Sequence, residues 1–298
     1  MEFDAIVIGG SFAGLEAATY IARGLRSVCV IDAGLPRNRF AEHSHGYLSR
    51  DGATPAAILE DARKQLAAYP SVSIENATVT TATKTDDGFR LKTSEGTEYL
   101  GKRLVLAFGI SDVLPDISGI AERWGKTVNH CPYCHGFEFA GGNLGVLHSH
   151  EHSAHQARII RQWGPTSFFL NGASIEPSLE SELAVADIAI VPDPVERLVG
   201  RGTGLDGVQL AGGRTVPIAA LYVAPESRLN SDLAEQLGCT IGQGALGPIV
   251  QTDETRVTSV PGVFAAGDIT RSMHAITLAT ADGLLAGTAV HRSLFMGM

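Results

Sequence analysis

The sequence predicts an α/β fold built from two βαβ units, one at the N-terminus and one in the middle of the chain. Three observations predict it. Residues 4–24 read as a buried strand, a tight glycine turn and an amphipathic helix, and residues 27–32 form a second strand. Residues 144–172 repeat the order strand, loop, helix and strand. The chain has 298 residues, 44% of them hydrophobic, which is enough for two domains with cores of their own.

The first unit carries a glycine loop suited to a dinucleotide. Gly9 permits the tight turn, and Gly14 lets the helix pack against the strand. The helix N-terminus directs free amides and a positive dipole end at a pyrophosphate. Ser11 stands where a second glycine is usual, and its side chain is small. Asp32, at the end of the second strand, is placed to accept hydrogen bonds from a ribose diol.

Two later stretches add buried strands. Residues 103–110 read RLVLAFGI and include Gly109, and residues 262–270 read GVFAAGDIT and include Gly267 and Asp268. A helix-like segment, residues 275–294, follows the second stretch. An aspartate in this position can bond a ribityl or phosphate-side hydroxyl, and the helix N-terminus can stabilise a reduced anionic flavin ring.

Four stretches, GGSFAGLEAA, HGYLSRDG, HCPYCHGFE and VPGVFAAGD, resemble those of the low-molecular-weight thioredoxin reductase-like flavoproteins, which are FAD-dependent disulfide oxidoreductases. The resemblance covers essentially the whole chain. It implies an α/β fold with two dinucleotide-binding domains (Rossmann-like, three-layer ββα), the second inserted in the first. A discontinuous FAD domain would comprise residues 1–113 and 245–298, and a central domain residues 114–244. It also implies a homodimer.

The resemblance further implies a set of FAD contacts. Ten residues carried over position by position are Gly9, Ser11, Phe12, Ala13, Gly14, Asp32, Ala107, Gly109, Gly267 and Asp268. Three contribute backbone contacts, Val79 at the adenine and Ala275 and Ile276 at the isoalloxazine. Asn38 and His45 would lie near the flavin, although a turn-capping or solvent-facing role fits His45 equally well.

The stretch HCPYCHGFE supplies the chemistry. A Cys-x-x-Cys spacing brings two sulfurs close enough for a small disulfide ring, and a helix N-terminus there would lower one thiol pKa. Zinc is the main rival, with His130 and His135 completing a ligand set, but four ligands from six consecutive residues would be strained, so we expect no metal. The resemblance implies that Cys134 faces the flavin and Cys131 exchanges with the substrate.

Two residues after the motif are candidates for proton transfer. His135 stands where many thioredoxin reductases carry an acid, and an imidazole there can move a proton to or from the attacking thiol near neutral pH. Glu138 can orient or tune that histidine. The alternative for both is that they satisfy local backbone groups.

The second unit lacks the nucleotide fingerprint that the resemblance leads one to expect. Gly-x-Gly-x-x-Ala appears as His148-x-His150-x-x-Ser153, and a side chain at the second position fills the space through which a pyrophosphate approaches. Residues 171–176, NGASIE, contain no arginine for a 2′-phosphate. Binding of NADPH in the usual pose is therefore not expected.

Three interpretations of the histidine loop remain open. His148, His150, His152 and His155 can bind a metal, but an extended loop rarely makes three imidazoles converge. An altered nucleotide loop can still attract an anionic donor such as a second flavin or an acidic carrier protein. The third interpretation is a plain surface loop.

Composition and charge limit the partners. A formal net charge of -9 with no run of like charges argues against nucleic acid or an anionic membrane surface. No basic leader precedes the first strand, and no apolar run approaches the roughly 18 residues of a membrane span. We expect a cytoplasmic protein without nucleic-acid or membrane partners. Cys29 and Cys239 are expected to be buried, unreactive thiols.

The sequence thus predicts an FAD-dependent dithiol/disulfide oxidoreductase that exchanges electrons between a Cys131–Cys134 pair and flavin and does not use NADPH in the usual way. One subgroup of the resembled family oxidises small dithiols and passes electrons to oxygen, which His135 fits. Another subgroup is fed by ferredoxin or a second flavin. Two alternatives are an NADPH-dependent reductase of a thioredoxin-like protein with a divergent loop, and a non-enzymatic flavin redox sensor.

Overall fold

The computed structural model describes residues 1–296, which divide into two compact units. Unit 1 contains Met1–Arg37, Ala56–Ser111 and the chain from Ser227 onwards. Unit 2 contains Asn38–Pro55 and Asp112–Glu226, so the larger part of it is an insertion in unit 1. Among the described residues, no helix is both long and apolar enough to cross a membrane.

Within residues 1–296, nineteen strands and seven α-helices make up the two units. The strands are β1 Glu2–Ile8, β2 Val28–Asp32, β3 Val72–Asn76, β4 Val79–Thr85, β5 Gly88–Thr93, β6 Glu98–Leu106, β7 Ile110–Val113, β8 Val128–Asn129, β9 Leu144–Leu147, β10 Thr166–Phe169, β11 Ile188–Val191, β12 Val195–Val199, β13 Gly207–Leu210, β14 Thr215–Val216, β15 Ala220–Val223, β16 Glu226–Leu229, β17 Ile241–Gly244, β18 Gly247–Val250 and β19 Val263–Ala265. The helices are α1 Phe12–Arg23, α2 Pro55–Ala67, α3 Pro132–His135, α4 Ser153–Ile160, α5 Pro177–Val185, α6 Leu233–Gln236 and α7 Ile276–Met296.

The main sheet of unit 1 is parallel at its centre. Strands β3, β2, β1 and β6 lie side by side in that order and in parallel, with Ile6 of β1 opposite Cys29 and Leu104. The long β6 pairs in parallel with β19 along its second half and antiparallel with β5 along its first half. Buried apolar runs in β1 and β2 are typical of a parallel sheet covered on both faces.

Helices α1 and α7 pack closely in unit 1. A Cβ atom on Gly283 would overlap the carbonyl oxygen of Ala13, and one on Gly287 would overlap that of Ala17. Two glycines one turn apart therefore let the α7 backbone approach α1 directly. Because α1 begins just after the glycine loop, this packing fixes the position of the loop.

Unit 2 has a second, smaller α/β architecture. Its sheet has the parallel order β11, β10, β9, β15, β8, and α4 connects β9 to β10. A separate antiparallel sheet is formed by β12, β13 and β14. Both units therefore have parallel sheets with helical crossovers, and the predicted α/β fold with an inserted second unit is confirmed.

The unit boundaries differ from the sequence-based domain limits in two places. Residues 38–55 group with unit 2, where Lys126 pairs with Glu42 at 3.2 Å and Phe40 lies against Gly125. The resemblance to the flavoprotein family had implied that this segment belongs to the FAD domain. Long-range contacts of this kind leave no periodic signal in the sequence.

Residues 227–244 group with unit 1 rather than with the central domain. Gln236 of α6 accepts a hydrogen bond from the backbone N–H of Ala82 at 3.0 Å and donates one to the carbonyl of Thr80 at 3.1 Å. These bonds attach α6 to the edge strand β4. The chain therefore returns to unit 1 earlier than the sequence suggested.

Candidate functional site

The glycine loop of unit 1 has the backbone geometry that the sequence predicted. Gly9 has a φ of 107°, and a Cβ atom there would overlap the carbonyl oxygen of Ala107. A Cβ atom on Gly14 would overlap the carbonyl oxygen of Gly9. Ser11 is the N-cap of α1 and makes no side-chain cap hydrogen bond, and the first turn contains no acidic residue. This twelve-residue helix therefore presents an N-terminus suited to an anion.

Asp32 lies at the carboxyl end of β2 and has a partner that the sequence analysis missed. Arg63 of α2 donates to the Oδ2 atom of Asp32 at 2.7 Å and to the carbonyl of Gly10 at 3.0 Å. The guanidinium thereby holds the carboxylate beside the glycine loop. An arginine in the middle of a helix gives no sequence signal for this role.

The Gly267–Asp268 turn lies between β19 and α7. Gly267 has a φ of 82°, and Arg37 donates to the Oδ2 atom of Asp268 at 3.1 Å. Asp282 of α7, fully buried, accepts a hydrogen bond from the backbone N–H of Gly267 at 3.3 Å. The turn is therefore held from α7 by a residue that the sequence analysis did not single out.

Two arginines neutralise the buried carboxylate of Asp282. Arg256 lies 2.8 Å from its Oδ1 atom, and Arg271 donates to its Oδ2 atom at 2.9 Å as well as to Oδ1. A buried charge requires such partners. The one acidic residue on an otherwise apolar or small stretch, ITLATADGLLAG, is the sequence signal that would have found it.

The remaining predicted cofactor residues of unit 1 occupy loops and strand ends. Phe12 and Ala13 begin α1, Val79 begins β4, and Ala107 follows β6. Gly109 adopts a φ of 70°. Ala275 immediately precedes α7, which begins at Ile276, one residue after the predicted start at residue 275. Asn38 and His45, by contrast, belong to unit 2.

The redox motif of unit 2 forms a disulfide between Cys131 and Cys134. Cys131 is the N-cap of α3, which is a single turn of four residues. The amides of Cys134 and His135 donate to the carbonyl of Cys131, both at 3.3 Å. The sequence predicts that a helix dipole and free amides lower a thiol pKa here, but a helix of one turn has a small dipole, and the amides of Cys134 and His135 already bond the Cys131 carbonyl.

His135 directly follows Cys134 in the sequence, and its side chain is only partly exposed. Burial lowers the pKa of His135 below its usual value, whereas the negative charge of Glu138 acts to raise it. The buried Tyr222 donates from its hydroxyl to the carbonyl of His135 at 3.1 Å. His135 is therefore neutral at neutral pH, which is the form that accepts a proton.

The loop of residues 43–53, here named the His45 loop, brings two more histidines to the disulfide region of unit 2. Two backbone hydrogen bonds of 2.8 Å close it, from Ser44 to Ala53 and from Gly52 to Ser44. The ring of His45 lies edge-on to that of His135, with centroids 6.2 Å apart.

Carboxylates face both nitrogens of the His45 ring. Its Nε2 atom is 3.4 Å from the Oε1 atom of Glu138, and its Nδ1 atom is 3.6 Å from the Oδ1 atom of Asp51. Asp51 also accepts a hydrogen bond from the backbone N–H of Gly46 at 2.7 Å. The assignment of His45 as a flavin contact stays a prediction, while its placement beside His135 is a structural finding.

The loop between β9 and α4 differs from a nucleotide loop in its hydrogen bonding. The hydroxyl oxygen of Ser153 accepts the backbone N–H groups of Ser149 at 3.2 Å and of His150 at 3.0 Å. Ser153 is completely buried. In a nucleotide loop such amides bind the pyrophosphate. Here two of them are already used within the protein.

The side chains of this loop are also engaged. His148 packs edge-on against Phe168, and burial together with the charge of His150 lowers the pKa of His148. The Nδ1 atom of His148 is buried and has no hydrogen-bond partner among the described residues. Gln156 of α4 donates to the carbonyl of His130 at 2.8 Å, which links this helix to the residue before the redox motif.

A metal remains one interpretation of this loop. Donor atoms of His150, Glu151 and His152 lie within 4.8 Å of one another. The Nδ1 atom of His150, however, accepts the backbone N–H of His152 at 3.2 Å, and Glu151 and His152 are exposed. Among the described residues, the set therefore consists of three adjacent residues on a surface turn. The expectation that the protein holds no metal stays a prediction.

The other two cysteines are buried, as predicted. Burial raises the pKa of Cys29 to about 12 and also raises that of Cys239, whose sulfur lies 3.6 Å from the Thr258 hydroxyl. Both thiols are therefore protonated and unreactive at neutral pH. By contrast, two aromatic side chains of the redox segment are exposed: Tyr133, between the two cysteines, to 72%, and Phe137, three residues after Cys134, to 84%.

An α/β unit with a glycine loop and an acid at its second strand, together with a second α/β unit that carries a Cys-x-x-Cys disulfide, defines a disulfide oxidoreductase of the two-nucleotide-domain class.

Comparisons with known proteins agree with this class. A family model described as pyridine nucleotide-disulphide oxidoreductase matches residues 3–153 and 169–283. Thioredoxin reductase tcpT of Claviceps purpurea is 33% identical over 302 residues, covering 95% of this chain and 92% of that protein. Thioredoxin reductase sirT of Leptosphaeria maculans is 30% identical over 307 residues, covering 97% and 93%. The crystal structure of an oxidoreductase from Agrobacterium tumefaciens superposes with a TM-score of 0.95 at 39% identity, covering 100% of both chains.

The chain belongs to the pyridine nucleotide-disulphide oxidoreductase family, and within it to the thioredoxin reductase-like enzymes.

Proposed function

We propose that this protein is an FAD-dependent dithiol oxidase, in which the Cys131–Cys134 pair takes electrons from a small dithiol, and that it does not accept them from NADPH in the usual way. The observation that carries the proposal is the use of the Ser149 and His150 amides by the buried hydroxyl of Ser153. A loop that satisfies its own amides offers no cradle for a pyrophosphate.

Unit 1 fits FAD. Gly9 lies where any Cβ atom would collide with the chain, and the N-terminus of α1 is free of acidic residues, so a pyrophosphate can approach it. Asp32, held by Arg63, would bind the adenosine ribose. The Gly267–Asp268 turn and the start of α7 would bind the ribityl chain and the ring. When bound, the flavin supplies a two-electron acceptor that reoxidises the cysteine pair and passes the electrons to oxygen.

Two successive thiol–disulfide exchange steps would oxidise the dithiol. A substrate thiolate attacks the sulfur of Cys131, the Cys131–Cys134 bond breaks, and Cys134 leaves as a thiolate. The second substrate thiolate then attacks the substrate sulfur of this mixed disulfide and releases Cys131. The substrate loses two electrons and two protons and gains an intramolecular disulfide, and the cysteine pair gains the two electrons. With oxygen as the final acceptor, the two protons and two electrons appear as hydrogen peroxide.

His135 is the proposed base for the substrate thiol. Its burial keeps the imidazole neutral at neutral pH, and Glu138 stabilises the imidazolium once the proton has arrived. Tyr222, through its bond to the His135 carbonyl, fixes the backbone that carries the ring. The exposed Tyr133 and Phe137 offer apolar surface beside the disulfide, which suits a small organic dithiol.

A thioredoxin-like protein is the second candidate substrate, because two of the relatives are named thioredoxin reductases. The flow of electrons would then be towards the protein disulfide, from ferredoxin, a second flavin or another donor. A third candidate, a redox sensor, predicts one stoichiometric oxidation without turnover. The family further suggests a homodimer in the cytoplasm, and light scattering of the purified protein tests the dimer.

Steady-state oxygen uptake distinguishes these candidates. The purified protein is mixed in air-saturated buffer with dithiothreitol, with reduced thioredoxin or with NADPH, and oxygen consumption and peroxide are measured. The proposal predicts repeated turnover with the dithiol, peroxide equal to the dithiol consumed, and no turnover with NADPH alone. A Cys134→Ser variant should show none. Rapid NADPH-dependent reduction of oxidised thioredoxin would overturn the proposal.

A further inference from the structure

We propose that His45 and Asp51 form a proton exit from the redox centre, continuing from His135 and Glu138 to solvent. This inference rests on the proposed function, because it concerns the protons that the dithiol releases. It assigns to the His45 loop a role in proton transfer rather than in flavin contact.

The need for an exit follows from the environment of His135. Burial lowers its pKa, so the imidazolium formed by a substrate proton is held weakly and must pass the proton on before the next turnover. Tyr222, whose hydroxyl is already donated to the His135 carbonyl, has a pKa raised by burial and by Glu138, and it is not a proton acceptor. Glu138, whose charge acts on His135, and His135 itself both lie beside His45, with the Glu138 Oε1 atom 3.4 Å from the His45 Nε2 atom and the two ring centroids 6.2 Å apart.

The His45 ring is placed to receive a proton from Glu138 and release another. A neutral imidazole accepts a proton at one nitrogen and gives up the proton on the other. Its Nε2 atom faces Glu138 at 3.4 Å and its Nδ1 atom faces Asp51 at 3.6 Å. Separations of this length are closed by a small ring movement or by a bridging water.

Exposure increases along the same path. The side chains of His45 and Glu138 are 24% and 36% exposed, and that of Asp51 is 70% exposed. A proton that reaches Asp51 is therefore in contact with bulk water. The Gly46 amide donates to the Oδ1 atom of Asp51 and keeps the carboxylate turned towards the ring.

The neighbour His43 provides a matched control. Its ring centroid lies 6.3 Å from that of His45, and its Nδ1 atom bonds to the carbonyl of Gly52 at 3.0 Å. The groups that face His45 within unit 2 are thus Glu138, Asp51, His135 and His43. His43 lies on the same loop as His45, but its ring bonds a backbone carbonyl, whereas the ring of His45 faces two carboxylates.

The test compares His45→Gln, Asp51→Asn and His43→Gln with the parent as FAD-loaded proteins. Stopped-flow bleaching of the flavin by dithiothreitol is measured without oxygen between pH 6 and pH 9. The expected result is an approximately tenfold slower rate for His45→Gln at low buffer concentration, and a smaller loss of the same kind for Asp51→Asn. High imidazole concentrations should restore both, because a dissolved buffer replaces the missing carrier. His43→Gln should match the parent.

Parent-like rates and pH profiles for His45→Gln and Asp51→Asn would overturn the proposal. A loss that imidazole does not restore would also overturn it, because it would indicate a structural role. The same variants, reduced chemically and then mixed with dithiobis(nitrobenzoate), release protons from the cysteine pair without any dithiol substrate. If the parent does not react with dithiothreitol, the proposed function fails, while this second reaction still shows whether His45 carries protons.

Discussion

The buried hydroxyl of Ser153 provides the sharpest test of how the histidine loop is built. Replacing Ser153 with alanine removes the acceptor of two backbone N–H groups, those of Ser149 and His150. Each such hydrogen bond contributes about 0.5–1.5 kcal/mol, so the free energy of unfolding should fall by about 1–3 kcal/mol. Urea denaturation followed by intrinsic fluorescence measures this loss.

Ser181→Ala is the matched control. Ser181 lies on α5 of the same unit, is exposed, and donates its hydroxyl to the carbonyl of Pro177 at 2.9 Å. Its replacement should change the unfolding free energy by less than about 0.5 kcal/mol. An equally small effect of Ser153→Ala would show that the Ser149 and His150 amides do not depend on that hydroxyl.

Restoring the nucleotide fingerprint in the same loop should increase the affinity for a pyridine nucleotide. The triple variant His148→Gly, His150→Gly and Ser153→Ala restores Gly-x-Gly-x-x-Ala and frees both amides for a pyrophosphate. One charge-assisted hydrogen bond adds at least about 1.5 kcal/mol, so nucleotide binding should tighten at least about tenfold. NADH should bind no worse than NADPH, since residues 171–176 supply no arginine for the 2′-phosphate. Unchanged binding of both nucleotides would show that the loop is not the obstacle.

Three further predictions concern other parts of the chain. Gly9→Ala should abolish FAD retention, because the new Cβ atom would collide with the Ala107 carbonyl. The flavin-to-protein absorbance ratio measures the bound FAD, and a variant that keeps its full flavin content would contradict this prediction. Asp282→Asn should lower the unfolding free energy by about 3 kcal/mol, since it breaks a buried ion pair; a loss below about 1 kcal/mol in urea would show that the arginines find other partners. Folding lowers the pKa of His135 and of His148 below the usual value of 6.5. As the pH falls below 6.5, these two histidines therefore bind more protons in the unfolded chain than in the folded protein. Stability should therefore be fully present above pH 6.5 and fall as the pH drops below it, and a parent whose urea midpoint is unchanged between pH 7.5 and 5.5 would contradict this.

Much of the fold could be read from the sequence because its signals are local. Three features were recognisable because each lies next to a strand or helix that the hydrophobic pattern reveals. They are the glycine turn before α1, the acid at the end of β2 and the Gly267–Asp268 turn before α7. The Cys-x-x-Cys spacing likewise fixes which sulfurs can meet. Local constraints of this kind need no knowledge of the rest of the chain.

The parts that sequence reasoning missed depend on contacts between distant residues. Arg63 reaches Asp32 across 31 residues, and nothing in α2 indicates it. His45 reaches Glu138 because residues 38–55 pack with unit 2, although they follow directly on the first βαβ unit in the chain. The bonds from the Ser149 and His150 amides to the Ser153 hydroxyl were missed for another reason, because a small polar residue has many possible partners.

Reduction of the flavin shows directly whether the protein takes electrons from a dithiol rather than from NADPH. The purified FAD-loaded protein is titrated without oxygen, first with NADPH and then with dithiothreitol, while the oxidised flavin band at about 450 nm is followed. The band should persist with NADPH and bleach stoichiometrically with the dithiol, and Cys134→Ser should prevent this bleaching. Prompt stoichiometric bleaching by NADPH would contradict the proposed function and would make the protein an ordinary pyridine-nucleotide-dependent reductase.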